Sequence, residues 1–248
     1  MPTETVENYL KAIYCLETAG HVDHVANEDR PTSHVAGRPV ALGDVAAAVR
    51  VTPGTATTMV KKLAADRLVK YERYGGVTLT AAGEKLALSV LRRHRLVETF
   101  LVRTLGMVWS EVHDEAERLE HAISERLLER LDSFLGRPVV DPHGDPIPDG
   151  AGKLRKNDLV AIARCKPGIT VRLARVLDQR PEFLQFLDRH GLRIDSTLTI
   201  VSTEPGAGTV LIRVAKGAAV ALSDAAASNL LVDVKVAKRR TPMKSRAV

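Results

Sequence analysis

VTPGTATTMVKKLAADRLVKYERYGGVTLT, residues 51–80, is the stretch whose punctuation sets the fold. Thr52 suits a helix N-cap, because its hydroxyl can accept from a backbone N–H of the first turn. Pro53 fits the first helical position, where its missing N–H would have no partner anyway. A helix is therefore expected from Pro53 to about Asp66, with Met59, Val60 and Leu63 turned inward. Val69–Arg73 and Val77–Thr80 alternate in polarity and are β-rich, and Gly75-Gly76 between them predicts a hairpin. Upstream, Leu42–Val49 reads as a short helix, and residues 4–18 as a longer one carrying Leu10, Ile13, Tyr14 and Val6 on one side. Gly20, Pro31, Gly37 and Pro39 break up residues 19–40. Helix, helix, turn, helix, hairpin is the order of a winged helix-turn-helix, whose second turn helix enters the major groove while the hairpin flanks it. A small α+β domain without a nucleic-acid role shares that outline.

Charge favours the first alternative. Residues 50–73 hold six basic side chains (Arg50, Lys61, Lys62, Arg67, Lys70, Arg73) against Asp66 and Glu72. Thr52, Thr55, Thr57, Thr58, Lys61, Lys62 and Arg73 are the candidate DNA contacts, since hydroxyls and cations there can reach phosphates or base edges. The whole chain carries 36 Lys and Arg against 30 Asp and Glu, but the six-residue surplus sits in the last 14 residues, so the body is formally neutral. Residues 94–125 reverse the sign, with seven acids against Arg95, Arg103 and Arg118. One region suits phosphates and the next suits cations.

Downstream of the hairpin the periodicity is helical. One helix is expected from Ala81 to about Leu105, stopped by Gly106, a second from near Ser110 to about Ile123, and a third from Ser124 to about Leu135. Leu86, Val90, Val97, Leu101, Leu119, Ile123, Leu127 and Leu131 give a broad apolar face, enough to bury a dimer partner as well. Residues 137–157 form a Pro/Gly linker. Beyond it come short β runs, at Leu159–Cys165, Ile169–Val176, Thr197–Val201, Val210–Val214 and Ala218–Leu222, with a short helix near Pro181–His190. The fold expected is mainly α with a small β part. The boundaries are 1–80 for the winged helix-turn-helix with an insertion at about 19–40, 81–136 for a helical domain, 137–157 for the linker, 158–237 for a small β-barrel and 238–248 for a basic tail.

His94-x-x-x-Glu98 and His113-x-x-x-Glu117-x-x-Glu120-His121 are the residues that carry chemistry. Three- and four-residue spacing places such groups on one helical face. So many carboxylates and imidazoles on one stripe repel and desolvate badly unless a cation joins them. An oxygen and nitrogen ligand set without sulfur suits Mn(II) or Fe(II). Such binding is expected to weaken below about pH 6, because a ligating histidine must be neutral. A solvated acidic face with incidental histidines is the competing reading. A metalloenzyme is a third, although the chain has no HExxH, nucleophile elbow or P-loop.

The chain has 248 residues and is 45% hydrophobic, enough for two or three packed domains. No apolar run reaches the roughly 18 residues of a membrane span. The start, Met1-Pro2-Thr3-Glu4, lacks a signal-peptide pattern, and two cysteines, Cys15 and Cys165, make no disulfide framework. A cytoplasmic setting without membrane contact is expected. Cys15 is expected to pack as a small hydrophobe on the first helix.

Taken in order, Tyr9-Leu10-Lys11-Ala12-Ile13-Tyr14, the winged helix, Arg93-His94-Arg95-Leu96-Val97-Glu98, Val112-His113-Asp114-Glu115-Ala116-Glu117 and Leu119-Glu120-His121 resemble the diphtheria-toxin-repressor/manganese-transport-regulator family. The linker His143-Gly144-Asp145-Pro146-Ile147-Pro148 is also similar, so the resemblance covers about residues 4–150. It implies a homodimeric, metal-activated repressor that binds a palindromic operator in double-stranded DNA and controls metal-uptake genes. Mn(II) is the metal implied first, with Fe(II) second. It implies a primary metal site from Asn8, Glu117, Glu120 and His121, an ancillary site from His94, Glu98 and His113, and an SH3-like (FeoA-like) C-terminal barrel. Glu117 resembles the manganese branch, because the iron branch has cysteine there. Asn8, where aspartate is common, and Lys11, where some members have glutamate, depart from the pattern. Gln179 and Glu182 are candidate barrel ligands by rough alignment. His21, His24 and His34 fall in the insertion, where loop histidines are usually solvated.

Overall fold

The structure is a computed structural model and describes residues 3–19, 38–155, 157–215 and 217–235. The insertion histidines and the basic tail therefore lie outside the described residues. Two compact units emerge. The first comprises residues 1–97, 117–133 and 147–154, and the second residues 98–116, 134–146 and 155–248.

In the first unit α1 (Glu4–Ala19), α2 (Leu42–Ala48) and α3 (Pro53–Ala65) precede a hairpin of β1 (Val69–Glu72) and β2 (Gly76–Leu79). Thr52 caps α3 as its hydroxyl chemistry requires, with Oγ1 accepting from the Thr55 N–H at 3.3 Å. Val69 pairs with Leu79 and Glu72 with Gly76, in antiparallel register. The turn between them puts Tyr74 at φ +68° and Gly76 at φ +97°. Leu10, Ile13, Val45, Ala56, Val60, Leu63 and Val77 are fully buried and interlock α1, α2, α3 and the hairpin. Met59 packs at the edge of that core rather than inside it.

The long helix α4 (Ala81–Arg103) starts at Thr80, whose Oγ1 accepts from the Gly83 N–H at 3.1 Å. Gly83 leaves no room for a side chain, because a Cβ there would lie 2.0 Å from the Leu68 carbonyl oxygen. Gly83→Ala is expected to cost about 1–3 kcal/mol, the usual penalty of overpacking, read as a lower urea midpoint with unchanged slope. Arg92 donates to the Pro148 carbonyl at 2.8 Å and to Asp132 at 3.0 Å, which ties α4 to α6 (Glu125–Phe134) and to the chain after the linker turn.

Between α4 and α6, α5 is shorter than the sequence suggests, running only from Val112 to Glu120. The Ala122 N–H turns back to the Leu119 carbonyl at 3.0 Å, and His121 lies in that turn, beyond the helix. Ser124 caps α6 through the Leu127 N–H at 3.3 Å. Val90, Val97 and Leu101 are buried as expected, whereas Leu119 and Leu127 are 42% and 52% exposed in the single chain.

The second unit is built on an antiparallel sheet ordered β3-β8-β4-β5-β6-β7, with β3 (Val160–Ala161), β4 (Thr170–Val176), β5 (Thr197–Glu204), β6 (Thr209–Val214), β7 (Ala219–Ser223) and β8 (Leu230–Asp233). α7 (Pro181–Arg189) lies between β4 and β5, and α8 (Asp224–Ser228) between β7 and β8. The run expected over Leu159–Cys165 is a strand for only two residues before Ile162–Arg164 turns as a 3-10 helix and buries Ile162. Register shifts in β4 at Leu173/Arg175 and in β5 at Ile200/Ser202 bend the sheet, as bulges do. Trp109 belongs to this unit's core and donates from Nε1 to Asp188 at 2.7 Å.

Among the described residues no helix is long and apolar enough to cross a membrane. Cys15 is exposed on α1 instead of packed, while Cys165 is buried. Burial pushes the Cys165 thiol up, and the thiolate is the reactive form. Iodoacetamide is expected to label Cys15 well before Cys165, which peptide mass mapping over time would read.

Candidate metal centre and DNA-facing helix

In the first unit the charged groups converge on Glu120, which is fully buried. Its Oε1 accepts from the Lys11 ammonium at 2.7 Å, and its Oε2 lies 2.6 Å from His94 Nδ1. Lys11 also reaches Glu117 at 3.4 Å. Burial pushes the Glu120 carboxyl up, but His94 and Lys11 together outweigh it and hold it below the usual carboxylate range.

His121 completes the cluster from the turn after α5. Its Nδ1 lies 2.6 Å from Glu7 Oε2, and its Nε2 lies 2.9 Å from Asn8 Oδ1 and 3.4 Å from Glu120 Oε1. Glu7 in turn accepts from Arg93 at 2.8 Å. With the Nδ1 proton given to Glu7, the Nε2 lone pair faces two oxygen acceptors. That is the orientation a carboxylate imposes on a metal-binding histidine. Three lone-pair atoms facing one another, with a lysine ammonium at the carboxylate, are a donor set that fits a cation, and Lys11 is the charge standing there now.

Of the residues expected in the primary set, Asn8, Glu120 and His121 stand together and Glu117 is linked to them through Lys11. His94, which the resemblance groups with Glu98 and His113, also meets Glu120 through its Nδ1. Glu7, which orients His121, and Lys11 as partner rather than departure were not singled out beforehand. They lie four residues apart on α1, a spacing that could have pointed to them.

Glu98 and His113 belong to the second unit, with Glu98 one turn beyond His94 along the continuous α4. His113 Nδ1 lies 3.5 Å from Glu98 Oε1, and its side chain is half exposed. Gln179 donates to Asp145 at 3.0 Å, and Glu182 stands in the first turn of α7.

On α3 the DNA candidates occupy the face opposite Ala56, Val60 and Leu63. Thr52, Thr55, Thr58, Lys61 and Lys62 are exposed, Thr57 is partly so, and Arg73 is exposed on the hairpin. Two hydroxyls are used differently from expectation. Thr57 donates to the Pro53 carbonyl at 2.7 Å and Thr58 to the Gly54 carbonyl at 3.1 Å, so their protons point back into the helix. Arg73 lies over the Tyr74 ring, 5.2 Å from its centroid, and Tyr74 is almost fully exposed at the hairpin tip.

Residues 80–149 match the family described as "Iron dependent repressor, metal binding and dimerisation domain", and residues 160–234 match the FeoA domain. The chain is 33% identical to the iron-dependent repressor IdeR of Mycobacterium leprae over 58% of this chain and 56% of that protein. It thus spans little more than half the length of that relative. It is 34% identical to the HTH-type transcriptional regulator MntR of Lysinibacillus sphaericus, over 53% of this chain and 81% of that protein. A solved structure titled "Manganese-dependent transcriptional repressor complex with manganese" aligns with a TM-score of 0.77 at 38% identity, covering 92% of this chain and 98% of that one. Winged helix-turn-helix, helical segment and FeoA barrel occur here in one chain, and on these matches the chain belongs to the diphtheria-toxin-repressor/manganese-transport-regulator family.

Proposed function

We propose that this chain is a cytoplasmic, homodimeric DNA-binding repressor that responds to Mn(II), with Fe(II) as the second metal, and controls metal-uptake genes through a palindromic operator. The observation that carries this reading is buried Glu120, bonded to Lys11 of α1 and set beside His121, which itself meets Asn8 of α1. The winged helix and the segment that follows α5 thus share one polar cluster.

Asn8, Glu117, Glu120 and His121 are the residues that would hold the ion in the primary site, and His94, Glu98 and His113 those of an ancillary site. When bound, a divalent cation supplies two positive charges to a carboxylate-rich cluster in a low-dielectric setting. Asn8 and Lys11 lie on one helix with the core residues Leu10 and Ile13, so fixing that helix against Glu120 fixes α2, α3 and the hairpin with it. Thr52, Thr55, Thr57, Thr58, Lys61 and Lys62 of α3 face the major groove in this reading, with Arg73 on a flanking phosphate. Two copies of α3 must sit about one DNA turn apart, roughly 34 Å, to read a palindrome. Residues 81–136 supply the dimer contact. Exposed Leu119 and Leu127 in the first unit, and Phe134 in the second, are apolar side chains that a second copy would cover.

The test is titration of the full-length protein onto operator DNA with Mn(II) and then with a chelator. Binding that appears with Mn(II) and is lost on chelation supports the reading. Equal binding in both conditions would favour a metal-independent winged-helix regulator. That second reading has its own support, since Lys11 already places a positive charge at Glu120.

A further inference from the structure

We propose that Tyr74, at the tip of the hairpin, is a DNA-contacting residue whose ring packs on deoxyribose in the minor groove, beside the major groove that α3 enters. The proposal rests on the DNA-binding reading above and adds a second groove to it. Tyr74 is 94% exposed, whereas Tyr9 and Tyr14 of α1 are buried and Tyr71 of the hairpin packs against the core. A lone exposed ring needs no explanation by itself. The backbone beneath this one does.

Residues 72–75 form a turn closed by the Gly75 N–H, which donates to the Glu72 carbonyl at 3.0 Å. Tyr74 holds the third position of that turn, with φ +68°. A left-handed third residue favours glycine or asparagine, and a bulky side chain there is strained. Glycine stands at 75 and 76 but not at 74, so the chain keeps a large aromatic where glycine would sit without strain. The ring takes no part in the core of its unit. Strain kept for a side chain that the core does not use points to a function outside the fold.

The root of the hairpin is fixed, so the tip is presented rather than loose. β2 pairs with β1 on one side, and on the other Val77 exchanges two hydrogen bonds with Val40, at 2.8 and 2.9 Å. A Cβ on Gly76 would fall 2.8 Å from the Val40 carbonyl oxygen, so the chain at Val40 lies directly against the turn. Val69 and Val77 of the hairpin share one core with Val60 and Leu63 of α3. Tip and α3 are therefore held as one piece.

The chemistry of the tip suits a groove wall. The exposed Arg73 guanidinium lies over the Tyr74 ring, 5.2 Å from its centroid. Stacked in this way, ring and guanidinium already share one arrangement, so binding immobilises less. Arg73 brings charge to a phosphate, the ring brings apolar surface to the sugar beside it, and the phenol hydroxyl can donate to acceptors on the groove floor. A minor groove roughly 6 Å wide admits the edge of one ring and excludes a helix.

The probe is a duplex that the full-length, unsubstituted protein selects with Mn(II) from a random-sequence pool. Tyr74→Gly, which accepts the same φ, is expected to bind that duplex about tenfold more weakly, the scale of one aromatic packing contact. The salt dependence should keep its slope, because no contact between a cation and a phosphate is lost. Hydroxyl-radical footprinting reads the sugars accessible in the minor groove. Tyr74→Gly should lose protection on the flank and keep it over the α3 contact, and Tyr74→Phe, which keeps the ring, should retain both. Equal affinity and an unchanged footprint for Tyr74→Gly overturn the proposal and leave Mn(II)-dependent DNA binding standing. If the unsubstituted protein selects no duplex, the DNA-binding reading falls and this proposal with it.

Discussion

Glu120→Ala is expected to abolish the Mn(II) response of DNA binding and to lower the stability of the metal-free protein by about 3–5 kcal/mol, the cost of removing one partner from a buried ion pair. Both effects follow from position. Glu120 is fully buried, and Lys11, His94 and His121 all approach it. Alanine leaves the Lys11 ammonium, itself only 12% exposed, without its nearest counter-charge. It also removes the anionic ligand between α1 and α5. Driving a two-state regulator from 1:99 to 99:1 needs about 5.5 kcal/mol of differential metal affinity, and a site without its buried carboxylate is not expected to supply it. Glu120→Gln separates the two effects, because the amide keeps the volume and one acceptor for Lys11. It should recover part of the urea stability while the Mn(II) response stays lost. A full Mn(II) response in the alanine variant would sink the assignment of the primary site.

Much of the first unit was legible because short-range signals agree there. Thr52-Pro53 marks the start of α3, the Gly75-Gly76 pair marks the hairpin, and Leu10, Ile13, Val60 and Leu63 fall at helical spacing. The second unit was less so. β8 is a run of four residues, Leu230–Asp233, that pairs with both β3 and β4. So short a segment carries too little periodicity to declare itself, and Ser223, which caps α8 through the Ala226 N–H, looks from sequence like one more polar residue after a strand. The metal cluster was legible as composition but not as partnership. Spacing put His94 and Glu98 on one face of α4, yet only tertiary packing could give His94 Nδ1 to Glu120, 26 residues away. Leu119 and Leu127 followed the helical stripe in sequence and remain exposed, since periodicity records an apolar face without saying which chain covers it.

Lys11→Glu is expected to move the protein in opposite directions with and without metal. At present Lys11 and Arg93 offset part of the charge of Glu7, Glu117 and Glu120, leaving one net negative charge among the five. The substitution replaces a cation by an anion at the same place and raises that to three. Without metal, carboxylates at positions 11, 117 and 120 would repel across a partly buried space, and a loss of about 1–3 kcal/mol is expected, tempered because Glu117 is half exposed. With metal the same carboxylate is an added ligand and a stronger field for a dication. Mn(II) should therefore raise the melting temperature of Lys11→Glu by more than that of the unsubstituted protein, and tighten Mn(II) binding by about tenfold or more, the scale of a well-placed charge. Lys11→Met, which keeps the stem and removes the charge, should fall between the two in metal-free stability. Unchanged stability without metal, together with unchanged Mn(II) affinity, would show that the lysine neither stands in for the ion nor competes with it. If instead the stability gap opens and the affinity rises, the ammonium now 2.7 Å from Glu120 is what lets the metal-free chain hold α1 against α5 at all.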